Sequence, residues 1–232
     1  MKSGVIYRGP SLLDGKPIIV IATLTKANPK TGPALQTYII REDINPLEAS
    51  KTGEDYSICG DCNLRGTPTD DPKRKQAADR PCYVNLGQGP TVVWKAYHRG
   101  TYPMADTWYD RTSLGQGRYV RVGTYGDPSA APDVVWEQLL QECSHYTAYS
   151  HFSGWRPDIA MQSVDNYHQA WGHWRFGRRT FRIITGIEQI DKAHEVLCPA
   201  SKEAGHRTTC EACKLCNGNG STKAKSIAIV EH

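Results

Sequence analysis

Seven of the eight cysteines fall into two groups far apart in the chain, and this constrains the fold more than any other feature. Each group has to be brought to a common point. In the later group, eleven residues separate Cys198 from Cys210-Glu211-Ala212-Cys213-Lys214-Leu215-Cys216. Three cysteines at intervals of three can converge, because a turn or a loosely wound helix brings every third side chain to one side. The thiolate is the ligand form, and a bound cation or cluster keeps it deprotonated. In the earlier group, Cys59-Gly60-Asp61-Cys62 precedes a Gly-, Pro- and charge-rich excursion (RGTPTDDPKRKQAADRP) that returns at Cys82.

The later set, Cys198, Cys210, Cys213 and Cys216, suits a [4Fe–4S] cluster. A run with two residues between successive cysteines, plus a remote cysteine followed by proline, is similar to bacterial ferredoxin spacing, although the order along the chain differs. Tetrahedral zinc is the alternative, and it more often uses two separated pairs. The earlier set, Cys59, Cys62 and Cys82, supplies three thiolates and leaves one position for Asp61, a histidine, water or a substrate. An alternative is that these three complete one larger site with the later set. Cys143 ends a helix pattern and reads as a small buried hydrophobe.

The remaining candidates are weaker signals. The histidines, at 98, 145, 151, 168, 173, 194, 206 and 232, form no paired signature, and His145 and His151 flank a strand end. Asp127 in Gly126-Asp127-Pro128 follows a strand and reads as a turn former or a site carboxylate. The segment from Trp171 to Arg182 interleaves aromatics with arginines, a pattern that stacks on and pairs with single-stranded nucleic acid. Its bland alternative is a helix and strand whose aromatics pack inward and whose arginines are solvated.

Strand and helix signals alternate through the middle of the chain. PIIVIATLT (17–25), a stretch over 37–40, YVRVGT (119–124), HYTAYS (145–150), DIAMQSV (158–164) and TFRIIT (180–185) read as strands. TVVWKAYH (91–98), PDVVWEQLLQEC (132–143) and a stretch from Asp165 to Trp174 read as helices. The alternation predicts an α/β fold: one domain over 1–232 with a mostly parallel sheet, either open or part of a barrel. Cysteine-rich segments at 56–84 and 197–218 are predicted to close over one end, near the carboxyl ends of the strands.

Composition narrows the function classes. A hydrophobic fraction of 39% and a charged fraction of 22% are ordinary for a globular chain, and a net charge of +4 permits an anionic partner without requiring one. No apolar run reaches the length of a membrane span, and the first twenty residues lack the pattern of a signal peptide. A reducing, cytoplasmic location is therefore expected, where clustered cysteines are ligands rather than disulfides.

Ile58-Cys59-Gly60-Asp61-Cys62, Pro81-Cys82-Tyr83-Val84-Asn85, Cys198-Pro199-Ala200-Ser201 and the run from Thr208 through Cys216 to Gly218 together resemble a family of uncharacterised proteins encoded by bacteriophages and mobile elements. Family members also carry a Gly-Asp-Pro after a strand, as at Gly126-Asp127-Pro128. They carry a Tyr-Thr-His where this chain has Tyr146-Thr147-Ala148. The resemblance implies iron–sulfur or zinc binding and a viral origin, hence the host cytoplasm. More distantly, the alternation beside cysteine clusters is similar to the partial barrel of radical S-adenosylmethionine enzymes, whose usual three-cysteine loop is missing here. The resulting expectation is a cluster-bearing protein with a redox or catalytic role and a small-molecule substrate or electron donor. A zinc-stabilised nucleic-acid-binding protein is the alternative.

Overall fold

A computed structural model describes residues 2–28, 30–218 and 224–231. Its ten strands form two five-stranded sheets in an α/β arrangement. The first sheet is mixed. β1 (Ser3–Pro10), β2 (Pro17–Asn28) and β3 (Gly32–Arg41) are antiparallel neighbours, and β4 (Tyr119–Tyr125) and β5 (His145–Thr147) then add in parallel. The second sheet is wholly parallel, in the order β6 (Tyr149–Ser150), β7 (Met161–Val164), β8 (Thr180–Ile184), β10 (Ser226–Val230) and β9 (Glu195–Leu197).

The two sheets meet at Ala148, the single residue between β5 and β6. Its carbonyl accepts from the Met161 amide, and its amide donates to the Cys216 carbonyl. One extended segment therefore serves both sheets, and the strands wrap around a shared interior. Successive inward positions obey the period of two that a strand imposes. Phe181 lies level with Ile227 and Ile183 with Ile229. Gln36 and Thr147 both lie level with Arg121.

Helices α1 (Pro46–Thr52), α2 (Tyr56–Cys59), α3 (Gly89–His98) and α4 (Trp108–Gly115) all lie in the long crossover from β3 to β4. α5 (Asp133–Leu140) joins β4 to β5, α6 (Tyr167–Trp174) joins β7 to β8, and α7 (Cys210–Cys213) lies between β9 and β10. The main core packs the β1–β4 isoleucines and valines against Trp136, Leu114 and Leu139. A smaller core gathers Met161, Ile227, Ala200, Cys198 and Cys216.

Some elements are placed differently from the sequence reading. The 42–55 region, whose polar residues with Pro46 and Gly53 read as loop with at most one helical turn, contains a full helix, α1, started by Asn45, whose side chain accepts from the Leu47 amide. Asn166 rather than Asp165 caps α6. β1, α4, β9 and β10 carry no strong sequence signal. β10 is a short apolar run, SIAIV, that becomes a strand because β8 and β9 flank it. Among the described residues, no helix is long and apolar enough to cross a membrane.

Candidate functional site

The first cysteine set is built around the carboxyl end of β4. Gly126, immediately after that strand, has φ +84, and a Cβ there would stand 2.7 Å from the Ile39 Cβ and 2.9 Å from the Ile39 carbonyl oxygen. A side chain at 126 would hold the two segments apart, so the glycine admits the close approach. The Asp127 amide then donates to the Ile58 carbonyl at 2.6 Å, which fixes α2, and with it Cys59, over the strand end. Arg65 closes the Cys59–Cys62 turn: it bonds the buried Asp55 carboxylate and the Gly53 and Gly60 carbonyls. Arg80 returns the excursion by donating to the Cys82 and Val84 carbonyls. Charge-assisted hydrogen bonds of this kind hold irregular backbone where no ladder can.

Cys59, Cys62 and Cys82 share one cavity with Tyr125, Asp127 and His151, and its volume is about 100 Å³. Burial pushes the Cys59 thiol well up, helped by Asp55 and by the two neighbouring thiols. Burial likewise pushes Cys62 up to about 12, with Cys82, Asp127 and Asp165 adding to the rise. Of the histidines, it is His151 that stands beside this set. Its Nε2 stands 3.5 Å from the Cys62 Sγ. Burial lowers its pKa against the pull of Asp127 and Asp165, so at neutral pH the ring is an uncharged, ligand-competent imidazole. Asp127 is a turn former and a site carboxylate at once. Oδ1 accepts from the Ser129 amide, the Ser129 hydroxyl and the Ser150 hydroxyl, while Oδ2 accepts from the His151 amide at 2.6 Å. It sets the backbone from which His151 projects. Asp61 is exposed. Two buried hydroxyls, Tyr125 Oη and Thr124 Oγ1, line this cavity with no hydrogen-bond partner.

The second set stands at the opposite end of β4. The Cys210 and Glu211 amides donate to the Lys30 and Thr31 carbonyls beside the start of β3. Glu211 and Lys214 act on His145, the first residue of β5. Cys198 arrives at the end of β9, where its amide donates to the Ala228 carbonyl. The two cysteine segments attach at different strand ends: Cys59 lies over the carboxyl end of β4 and Cys198 follows the carboxyl end of β9, whereas Cys210 is tied beside the start of β3. The reason is the order of elements, because α7 is tied to the β2–β3 turn while α2 is tied to the turn after β4. The ends of the seven-residue β4 lie six steps apart, or about 20 Å at about 3.3 Å per residue. The alternative of one larger site holding all seven thiols gains no support from this arrangement, since the two sets line separate cavities.

Cys198, Cys210, Cys213 and Cys216 act on one another electrostatically and line a larger cavity of about 380 Å³. Burial pushes Cys216 up to about 12 against the hydroxyl of Tyr149, which hydrogen-bonds to its sulfur. Arg121 and Lys30 pull Cys210 the other way, toward the thiolate. Arg179 organises the loop, donating to the Leu215, Gly218 and Lys225 carbonyls. The larger cavity runs along the strand interior, and Leu64, Tyr83, Val84, Thr124, Tyr149, Phe181 and Ile183 line both cavities. Among the described residues, no three or more His, Cys, Asp or Glu side chains form a ready-made site for a metal ion. The thiols share cavities and fields without closing on single points.

The arginine–aromatic segment follows its bland reading in part: Phe181 packs against the small core, Trp174 is half-buried and Arg175 is exposed, but other members are reversed. Arg179 and Arg182 are buried, the latter paired with the buried Glu195 at 2.5 Å, while Trp171 and Phe176 are exposed. Only Arg175 and Arg178 remain outside the core, and Arg175 lies over the Trp171 ring. Cys143 packs against the main core, and burial raises its thiol to about 11. His145 stacks on Tyr119 near the second set, and His232 lies outside the described residues. The sequence reading did not single out Arg121, Tyr149, Tyr125 or Arg65. Period-two inward positions on β4 would have found the first and third. No protein-family model matches the chain, and no curated protein or solved structure is significantly similar to it.

Proposed function

We propose that this chain is an iron–sulfur protein of the bacteriophage type, working in the host cytoplasm in a redox or cluster-based reaction on a small molecule. The observation that carries this reading is the gathering of seven sequence-remote thiols into a set of four and a set of three, each lining one of two cavities that share wall residues. Cys198, Cys210, Cys213 and Cys216 would hold one [4Fe–4S] centre, and Cys59, Cys62 and Cys82 the other, with His151 at its fourth position. A single zinc ion needs four sulfurs about 3.8 Å apart, given Zn–S bonds of about 2.3 Å. The unpartnered Tyr125 and Thr124 hydroxyls support a polar occupant at the first set, since a buried hydroxyl left without a partner is costly. When bound, such clusters supply one-electron transfer or an open iron for Lewis-acid chemistry. The chain itself orients His151 through Asp127, buries Cys198 and Cys216, and donates the Tyr149 hydrogen bond to Cys216.

The test is metal and sulfide analysis of protein purified without oxygen. The expected product is brown, carries acid-labile sulfide and holds more iron than one cubane. His151→Ala should change the electronic spectrum of the first centre alone. Colourless protein with stoichiometric zinc and no sulfide would overturn the reading in favour of a structural zinc protein.

A further inference from the structure

Two cations, Lys30 and Arg121, line the larger cavity, and Arg121 has no carboxylate partner among the described residues. Arg121 sits at the middle of β4, on its inward face, between the two cysteine sets. Its Nη2 donates to the Tyr83 hydroxyl at 3.0 Å. Among the described residues, no carboxylate pairs with it; the one acidic side chain on the cavity wall, Glu231, belongs to the far end of β10 and forms no ion pair with it. This is unlike the other strand-borne arginines nearby. Arg41 pairs with Asp43 and Glu54, and Arg182 with Glu195. The hydroxyls around Arg121 are already engaged. Tyr119 Oη bonds Thr147 Oγ1 at 2.9 Å, and Tyr38 Oη donates to Gln36 at 2.9 Å. The guanidinium fork therefore presents free N–H donors to the cavity, and its surroundings are the flat faces of Tyr38, Tyr83, Tyr119, Tyr149 and Phe181.

We propose that this cavity binds a small anionic molecule carrying an aromatic or similarly flat ring, its carboxylate or phosphate clamped by Arg121 and its ring held among the tyrosines. A planar fork of donors matches either oxyanion in two-point geometry, and a volume of about 380 Å³ lies in the range of small-ligand pockets. A cation in a partly apolar cavity favours an anionic guest strongly over a neutral one of the same shape, because the neutral guest leaves the charge uncompensated. The placement deepens the proposed function, since a guest on Arg121 lies between the two thiol sets. Binding itself needs no metal.

The experiment is equilibrium binding of benzoate, phenyl phosphate and the neutral isostere benzamide to anaerobically purified protein, with iron and sulfide measured on the same samples. At least one anion should bind about tenfold or more tightly than benzamide. Arg121→Gln should erase that preference while leaving benzamide binding and the melting temperature near wild type. Arg121→Lys should keep the charge preference and lose part of the affinity, because an ammonium cannot clamp in two points. The stronger of benzoate and phenyl phosphate identifies the natural guest as a carboxylic acid or a phosphate ester. Equal binding of benzamide and both anions, or an anion preference that survives Arg121→Gln, would overturn the proposal. An anion preference in a protein devoid of iron and sulfide would retain this site and reject the iron–sulfur reading. Iron-loaded protein with no anion preference would do the reverse.

Discussion

The two cysteine sets sit at opposite ends of the same strand, in opposite electrostatic surroundings. Carboxylates face two of the first set: Asp55 helps keep the proton on Cys59, against Arg65, and Asp127 and Asp165 help keep it on Cys62. Cys210 and Cys198 lie beside cations, with Lys30 acting on both and Arg121 on Cys210. The supporting scaffolds differ too. The first set rests on side-chain networks, Arg65 with Asp55, Arg80 with two carbonyls and Asp127 with four donors. The second contributes two buried cysteines to a small core, so its thiols are part of the packing. Positive surroundings and a hydrogen bond to sulfur favour the reduced, more negative form of a cluster. Under the proposed function, the second centre is therefore the one that accepts electrons more readily. The first, with its imidazole and unpartnered hydroxyls, is the one suited to reaction.

The comparison breaks most sharply at the cysteines. Cys213→Ser should remove the second centre and leave poorly soluble protein, because a structural metal site contributes about 10 kcal/mol or more to folding. Cys82→Ser should empty the first centre and leave a folded, soluble chain, because the networks around Arg65 and Arg80 persist without metal. Metal content and circular dichroism of the pair check this, and equal losses in both variants would contradict the division of roles.

A smaller effect is expected at the buried arginine of the second set. Arg179→Met leaves three carbonyls short of a donor and should cost about 3 kcal/mol in urea unfolding. It should leave the first centre spectroscopically intact. The smallest effect tests the hydrogen bond to sulfur. Tyr149→Phe should lower the midpoint potential of the second centre by about 40 mV, the one-electron equivalent of a hydrogen bond of about 1 kcal/mol, without altering stability. A redox titration that finds only the first centre shifted would reverse the assignment of the two potentials.

The sequence by itself determined the membership of both sets. Cys-x-x-Cys and three cysteines at intervals of three group these residues in the sequence itself, and that spacing is the ground of the ligand proposal. It also determined the strands of the interior, since runs such as PIIVIATLT and TFRIIT have no stable alternative to burial in a sheet. Only the tertiary structure decided that the sets stand at opposite ends of β4. That depends on a Gly126–Ile39 approach and a Cys210–Lys30 bond between residues far apart in the chain. The choice of His151 over Asp61 is tertiary as well. Asp61 is adjacent to its cysteines in sequence yet turned to solvent, whereas His151 reaches Cys62 from 89 residues away because β6 ends beside α2. Side chains three apart meet through local geometry alone, but a ligand from another strand is positioned by the sheet's pairing, and pairing is a property of the whole chain.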